Sequence, residues 1–432
     1  MNSNLRERLL RIKDVRKSTA EPGRETVKGS ADRSGLKGWD TVGLQTVKRI
    51  FNKQGDIFVP SEFPAALPVI IPDLMFSVDQ EGAAERKKIT PENLLFFDLE
   101  TTGLSIGAGT LAFLAAFGRL IPGASGRYHL QITQYLLLDY PGESDFIEAV
   151  LSEFFDNCVL VTYNGKSFDS QILATRCLMN GIKPPLYFHA DLLHPARRLW
   201  KRLLGSCSQG NIEEKVLSFD RSGDIPGALA PEIWFNFLRS GNTESLMGVC
   251  EHNRRDIFGL ASMFAVMTYI AEDPFAAHEK YPYDTENLAL RWHDCMRRQT
   301  IAYKLCRNEK DSSDLLKTGK AMLQFAADKG GPRAALVLAL HLLRAGDPQS
   351  SVGDTGSQDD GRKRLAEIAA GAFPDIYRIS ALRFLAIDAE RCLADFSVAL
   401  GYVNRAMEMD LSETQTAEFE RRKARLLGKM KL

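Results

Sequence analysis

The chain has 432 residues, 44% of them hydrophobic, and its 55 Lys and Arg balance its 55 Asp and Glu. That length predicts two or three domains, and the zero net charge excludes a global basic field, so any nucleic-acid surface must be local. No apolar run is long enough to span a bilayer, the start MNSNLRERLLRIKD lacks a signal peptide's apolar centre, and seven scattered cysteines contain no C-x-x-C pair; a cytoplasmic protein without membrane span, disulfide framework or cysteine zinc site is expected.

The first sixty residues lean basic, with thirteen Lys/Arg against seven Asp/Glu. Residues 5–17 can form a short basic helix, and Ser18 to Gly38 reads as a Gly/Ser-rich linker, so 1–38 is taken as a basic, flexible N-terminal segment. Between 39 and 92 the prolines at 60, 64, 68 and 72 suit an extended lead-in laid on the domain that follows rather than a helix.

That domain, 93–272, opens on LLFFDLETTGLS, Leu94 to Ser105. Four apolar residues read as a strand buried on both faces, and the period of two places Asp98 and Glu100 on one side of it. Two buried carboxylates repel each other and lose hydration, so they need solvent, protons or a cation. Thr110 to Leu120 and Tyr128 to Asp139 are the next strands, joined by a Pro-Gly-Ala-Ser-Gly turn. Glu143 to Asn157 reads as a helix, Cys158 to Tyr163 as a strand, and Phe168 to Asn180 as a helix stopped at Gly181. This order, three strands then helix, strand and helix, predicts a ribonuclease H-like mixed sheet flanked by helices.

Asp191 lies where a brief strand enters a helix bearing Arg197, Arg198, Lys201 and Arg202, which reads either as a phosphate-contacting face or as a solvated one. Gln209 to Gly227 reads as a loop. Pro231 to Ser240 and Thr243 to Ile270 follow as helices, the second placing His252 and Asp256 four apart on one face. From 273 to 432 successive amphipathic helices predict an all-α array of stacked hairpins, with Ser350 to Gly361 as a disordered loop. LAIDAERCLADFSVALGYVNRAMEMD resembles a tetratricopeptide unit, which implies a protein-binding role for the array.

Phosphodiester hydrolysis at two divalent ions requires several carboxylates gathered from different parts of a chain and a group to orient water. Asp98, Glu100, Asp169, His252 and Asp256 supply that inventory. FDLETTG, YNGKSFDSQIL and HNRRDIFGL resemble the three exonuclease motifs of the DEDD superfamily, and HADLLHPARRLW, the DIPG turn and the helical tail resemble YprB-like ribonuclease H-like proteins. The resemblance implies a 3′→5′ exonuclease with Asp98, Glu100, Asp169 and Asp256 as ligands of two Mg²⁺ or Mn²⁺ ions and His252 as the water-orienting group. It also implies a nucleic acid with a free end, DNA or RNA. Tyr163 and Asn164 either position the loop carrying Asp169 or contact that substrate, and Thr101, Arg197 and Arg198 are further candidate contacts. One departure stands out, because a histidine occupies the position four before the final aspartate where DEDD proteins carry tyrosine; their histidine stands five before it.

Competing readings remain open at this level. Asp98 and Glu100 alone could be a solvated strand end, Thr101-Thr102-Gly103 a turn, and the cluster of His189, Asp191 and His194 structural. An actin-like ATPase also opens on an Asp-x-Gly-Thr-Thr loop, but Glu100 would repel phosphate there. A catalytically weak nuclease fold serving as a nucleic-acid- or protein-binding scaffold is the alternative function.

Overall fold

The computed structural model describes residues 36–75, 89–103, 107–123, 127–297, 309–344 and 355–431. The expected basic helix at 5–17 and the linker up to residue 35 lie outside them. By Cα proximity the chain divides into two units, Met1–Arg197 with Leu204–Tyr281, and Arg198–Leu203 with Pro282–Leu432.

The first unit is built on one mixed sheet. Its strands are β1 (Asp40–Gly43), β2 (Thr46–Phe51), β3 (Asp56–Ile57), β4 (Leu94–Thr101), β5 (Ala112–Pro122), β6 (Tyr128–Leu137), β7 (Val159–Thr162) and β8 (Phe188–Asp191). They lie in the order β1-β2-β6-β5-β4-β7-β8, with β3 also pairing to β6. The meander β4-β5-β6 is antiparallel, whereas β7 runs parallel to β4 and β8 parallel to β7. The stretch expected as an extended lead-in thus donates a hairpin, β1-β2, to the sheet beside β6. It also holds a one-turn helix, α1 (Leu67–Ile70), where a helix was not expected; Pro68 is tolerated because it stands in the first turn, where its missing N–H has no partner to lose.

Helices cover both faces. α2 (Glu143–Leu151), α3 (Asp169–Met179) and α6 (Ala230–Ser240) lie on the side of Leu95, Phe97 and Leu99, where Phe146, Ile172 and Trp234 complete the core. Trp234 stacks on Phe113 at 5.2 Å and donates its indole N–H to the Leu137 carbonyl at 2.9 Å. On the opposite face α7 (Glu244–Glu272) crosses β4, β5 and β6. That helix approaches closely because β5 is thin there: a Cβ on Gly118 would sit 2.7 Å from Ile257 Cγ2. Asp98 pairs with Ala116 and Phe96 with Gly118, so small residues of β5 flank the acidic end of β4 beneath α7.

α4 (Leu193–Leu204) and α5 (Gln209–Lys215) complete the connections, and α8 (Pro274–Lys280) follows α7. α5 corrects the loop expected over Gln209 to Gly227; its inner face carries Ile212 and a buried carboxylate, Glu213, so no apolar period announces it. The helix expected over Glu143 to Asn157 ends at Leu151. α3 ends where expected, with Gly181 at φ +72°.

The second unit is all-α: α9 (Thr285–Arg297), α10 (Glu309–Asp328), α11 (Pro332–Arg344), α12 (Thr355–Ala370), α13 (Asp375–Arg391), α14 (Phe396–Met407) and α15 (Glu413–Lys429). Each packs on the next, and α9 also meets α11 and α11 meets α13, the neighbour pattern of stacked hairpins. Part of the loop expected at Ser350 to Gly361 is helix from Thr355, and residues 350–354 lie outside the described set. Gly361, read as loop punctuation, instead admits α11: a Cβ there would lie 2.6 Å from the Leu343 nitrogen. Among the described residues no helix is long and apolar enough to cross a membrane.

Candidate active site

Three elements bring the acidic motifs together. β4 presents Asp98 and Glu100 towards α7, α3 begins at Asp169, and α7 turns His252, Asn253 and Asp256 back towards the strand. One ligand atom each from Glu100, His252 and Asp256 can be chosen so that all lie within 4.8 Å of one another. Asn253 is fully buried, donates from Nδ2 to Asp98 Oδ2 at 2.7 Å, and accepts at Oδ1 from Gln134 Nε2 at 3.0 Å. Gln134 also donates to the Cys250 carbonyl, so neither amide has rotational choice and Asp98 is held by an oriented donor.

Among the described residues, the carboxylates are short of positive charge. Burial, followed by the charges of Asp256, Asp169 and Glu100, pushes Asp98 well above the ordinary carboxylate range despite the Asn253 hydrogen bond. Glu100 is raised for the same reasons, by burial and then by Asp256, Asp169 and Asp224. Burial lifts Asp169 to about 7, against hydrogen bonds from its own backbone and that of Leu99 that favour the ionised form. Arg221 reaches Asp256, and it is shared with Glu213 and Asp224. Oxygen donors crowded this way, with one imidazole among them, match what a hard divalent cation binds and what a protein without one must protonate. The residues therefore fit the implied metal.

A loop between α5 and α6 closes the site. Arg221 Nη1 donates to Asp224 Oδ2 at 2.8 Å, and the same oxygen lies 2.9 Å from His252 Nδ1. His252 Nε2 lies 3.4 Å from Asp256 Oδ2. Glu213, 1% exposed, accepts from Arg221 on one oxygen and from Gln209 at 2.8 Å on the other. These loop residues, with Asn253 and Gln134, are the part of the site that motif reading missed. Asp224 and Arg221 stand in a polar stretch without periodicity; their one sequence signal is the DIPG turn.

Three of the remaining candidate contacts, Thr101, Tyr163 and Asn164, make hydrogen bonds within the protein. Thr101 is buried and donates its hydroxyl to the Gly103 carbonyl at 2.8 Å, closing the turn after β4. The Tyr163 hydroxyl donates to the Cys207 carbonyl. Asn164 takes φ +65° and donates its backbone N–H to Asp191 Oδ1 at 2.8 Å, while Lys166 donates to the other oxygen at 3.0 Å. Asp191 thus pins the loop that leads into Asp169, a structural duty. Arg197 is exposed and Arg198 half-buried on α4, where the Arg198 carbonyl accepts from Asn287 at 2.8 Å. Beside them Arg202 pairs with Asp284 and Glu286.

Sequence comparison agrees with this geometry. Residues 95–268 match the model of the RNase H superfamily. This part of the chain has the ribonuclease H-like fold. The matched segment runs from the first residues of β4 nearly to the end of α7, and so includes Asp98, Glu100, Asp169, His252 and Asp256. The chain is also similar to the uncharacterized protein YprB of Bacillus subtilis (strain 168), 38% identical over 185 residues. That similarity spans 42% of this chain and 43% of the relative, so the chain matches less than half of the relative's length.

Proposed function

We propose that the chain is a metal-dependent exonuclease of the DEDD type that removes nucleotides from the 3′ end of a DNA or RNA strand. One observation carries the reading: carboxylates from β4, α3 and α7, with Glu100 and Asp169 buried and Asp98 and Asp256 partly so, converge with too little positive charge among the described residues to neutralise them. Asp98, Glu100, Asp169 and Asp256 would hold two Mg²⁺ or Mn²⁺ ions, which when bound offset phosphate charge and make water more acidic. His252 then accepts the proton of the attacking water through Nε2, the ring nitrogen on the Asp256 side. Asn253 aims Asp98 and favours its ionised form, and the loop pinned by Asp191 leads into Asp169. The helical array is taken as a tetratricopeptide-like domain that binds a protein partner.

The test is digestion of 3′- and 5′-labelled single strands of DNA and RNA with Mg²⁺ or Mn²⁺. Stepwise loss from the 3′ end is expected. Asp98→Ala and Asp256→Ala should each reduce the rate by more than the roughly hundredfold typical of an outer-shell change. Activity that survives both substitutions overturns the site. No digestion of any strand by a protein that still binds Mn²⁺ would favour the scaffold reading.

A further inference from the structure

We infer that Asp224 is a positioning residue for His252, anchored by Arg221, so that the loop from 217 to 227 is a working part of the active site. The inference rests on the exonuclease reading for its kinetic arm alone. An imidazole on a helix can swing about two side-chain bonds and can carry its proton on either nitrogen. Asp224 Oδ2, 2.9 Å from Nδ1, removes both freedoms. While that carboxylate is ionised, Nδ1 must be the donor, and Nε2 is left facing Asp256 and Glu100.

The carboxylate is itself held from behind. Arg221 donates to the same oxygen at 2.8 Å, and the Ile225 backbone N–H donates to Oδ1 at 3.1 Å. Arg221 is fixed in turn by Glu213, whose side chain enters a slot on α7 opened by Gly259; a Cβ there would lie 1.7 Å from Glu213 Oε1. Two glycines independently show that the loop is shaped around this part of α7. A Cβ on Gly227 would come within 3.1 Å of His252 Nε2, and one on Gly248 within 2.3 Å of Ile225 Cδ1. The loop therefore seats on the helix one turn before the histidine and leaves clear the space beside the ring. With His252 four residues before Asp256, where the DEDD pattern has tyrosine, this support lets the imidazole face the carboxylates.

The experiment uses the full chain with ¹⁵N-labelled histidine, comparing wild type, Asp224→Ala, His252→Ala and the double variant. In the metal-free protein, at a pH where the ring is neutral, the His252 ¹⁵N shifts should report a proton on Nδ1 in wild type and a mixture of tautomers in Asp224→Ala. Identical ring spectra overturn the inference. With metal and labelled strand, Asp224→Ala should lower kcat about 10–100-fold, leaving KM and the calorimetric Mn²⁺ affinity within about twofold, and should cost nothing further on the His252→Ala background. An equal loss on that background would reduce Asp224 to a structural residue. Should Asp224→Ala not fold, Asp224→Leu, near the native volume and without an acceptor, takes its place. If wild type digests nothing, the exonuclease reading falls while the ring spectra still decide the positioning.

Discussion

At the scale of the residue, the site is a store of unfavourable electrostatics that folding elsewhere must offset. Asp98 illustrates it: a strand core of Leu95, Phe96 and Phe97 carries the carboxylate into a place where three others already stand. Replacing a carboxyl whose ionisation burial and three neighbouring carboxylates oppose should relieve the repulsion or the proton uptake that offsets it. We expect Asp98→Asn to raise the melting temperature of the metal-free protein by about 5 °C, corresponding to roughly 1–2 kcal/mol, while abolishing the stabilisation that Mn²⁺ confers on wild type. A lower melting temperature in the apo variant would show that the carboxylates are not in conflict. The pH dependence has a definite sign. Burial pushes Asp169 up to about 7 in the folded chain from 3.8 for a free aspartate, so the folded state binds the extra proton between those values. Its contribution therefore destabilises the metal-free protein increasingly as pH rises from about 4 to about 7, through the differential proton uptake of the two states. Denaturant midpoints measured with and without metal should diverge over that window, the metal-bound protein losing less.

At the scale of the element, α7 does most of the assembling. It carries one hydrophobic row into the sheet at Ile257, Leu260 and Phe264, while its polar row ends on β4 through Asn253 and on the loop through His252 and Asp256. Glycines set how closely its neighbours come. Gly259→Ala should be severe for its size, because the new methyl meets a carboxylate that is buried and bound to Arg221 rather than a free side chain. We expect a loss of about 3 kcal/mol, of the order measured when one partner of a buried ion pair is displaced, seen as a drop in the urea midpoint. A change below about 0.5 kcal/mol, the level of an ordinary surface substitution, would mean that Glu213 relocates freely. The same helix shows what was legible beforehand. His252 and Asp256 declare themselves by a spacing of four, and Asp98 and Glu100 by a spacing of two, because helix and strand geometry are local. Asp224, Arg221 and Glu213 reach the site through the path of a loop and a short helix, set by packing against Gly248 and Gly259 on a distant segment, and local pattern has no access to that.

At the scale of the whole molecule, connectivity was readable because each central strand announces itself by apolar runs and each turn by Gly and Pro. The order β4-β5-β6-helix-β7-helix then leaves few ways to build a sheet. The hairpin β1-β2 escaped the same reasoning, since its outer strand is exposed and its burial pattern does not alternate. The second unit was visible as helices but not as a network of charges, and there its stability rests partly on one carboxylate. Glu390 on α13, its side chain 3% exposed, accepts from Arg422, Arg425 and Lys429 of α15 at 2.7–3.1 Å. The Arg425 hydrogen bonds, outweighing burial and aided by Lys429, hold its carboxyl at about 2, below the 4.5 of a free glutamate. A depressed carboxylate of this kind stabilises fully above the unfolded value and loses that contribution as pH falls from about 4.5 towards 2. Glu390→Gln leaves Arg422 buried without its counter-charge, and we expect a loss of about 3 kcal/mol at neutral pH, measured by urea unfolding followed through the helical signal. The gap between wild type and variant should close as the pH approaches 2, where wild type has also lost the charge. A gap of the same size at both pH values would assign Glu390 a packing role rather than an electrostatic one.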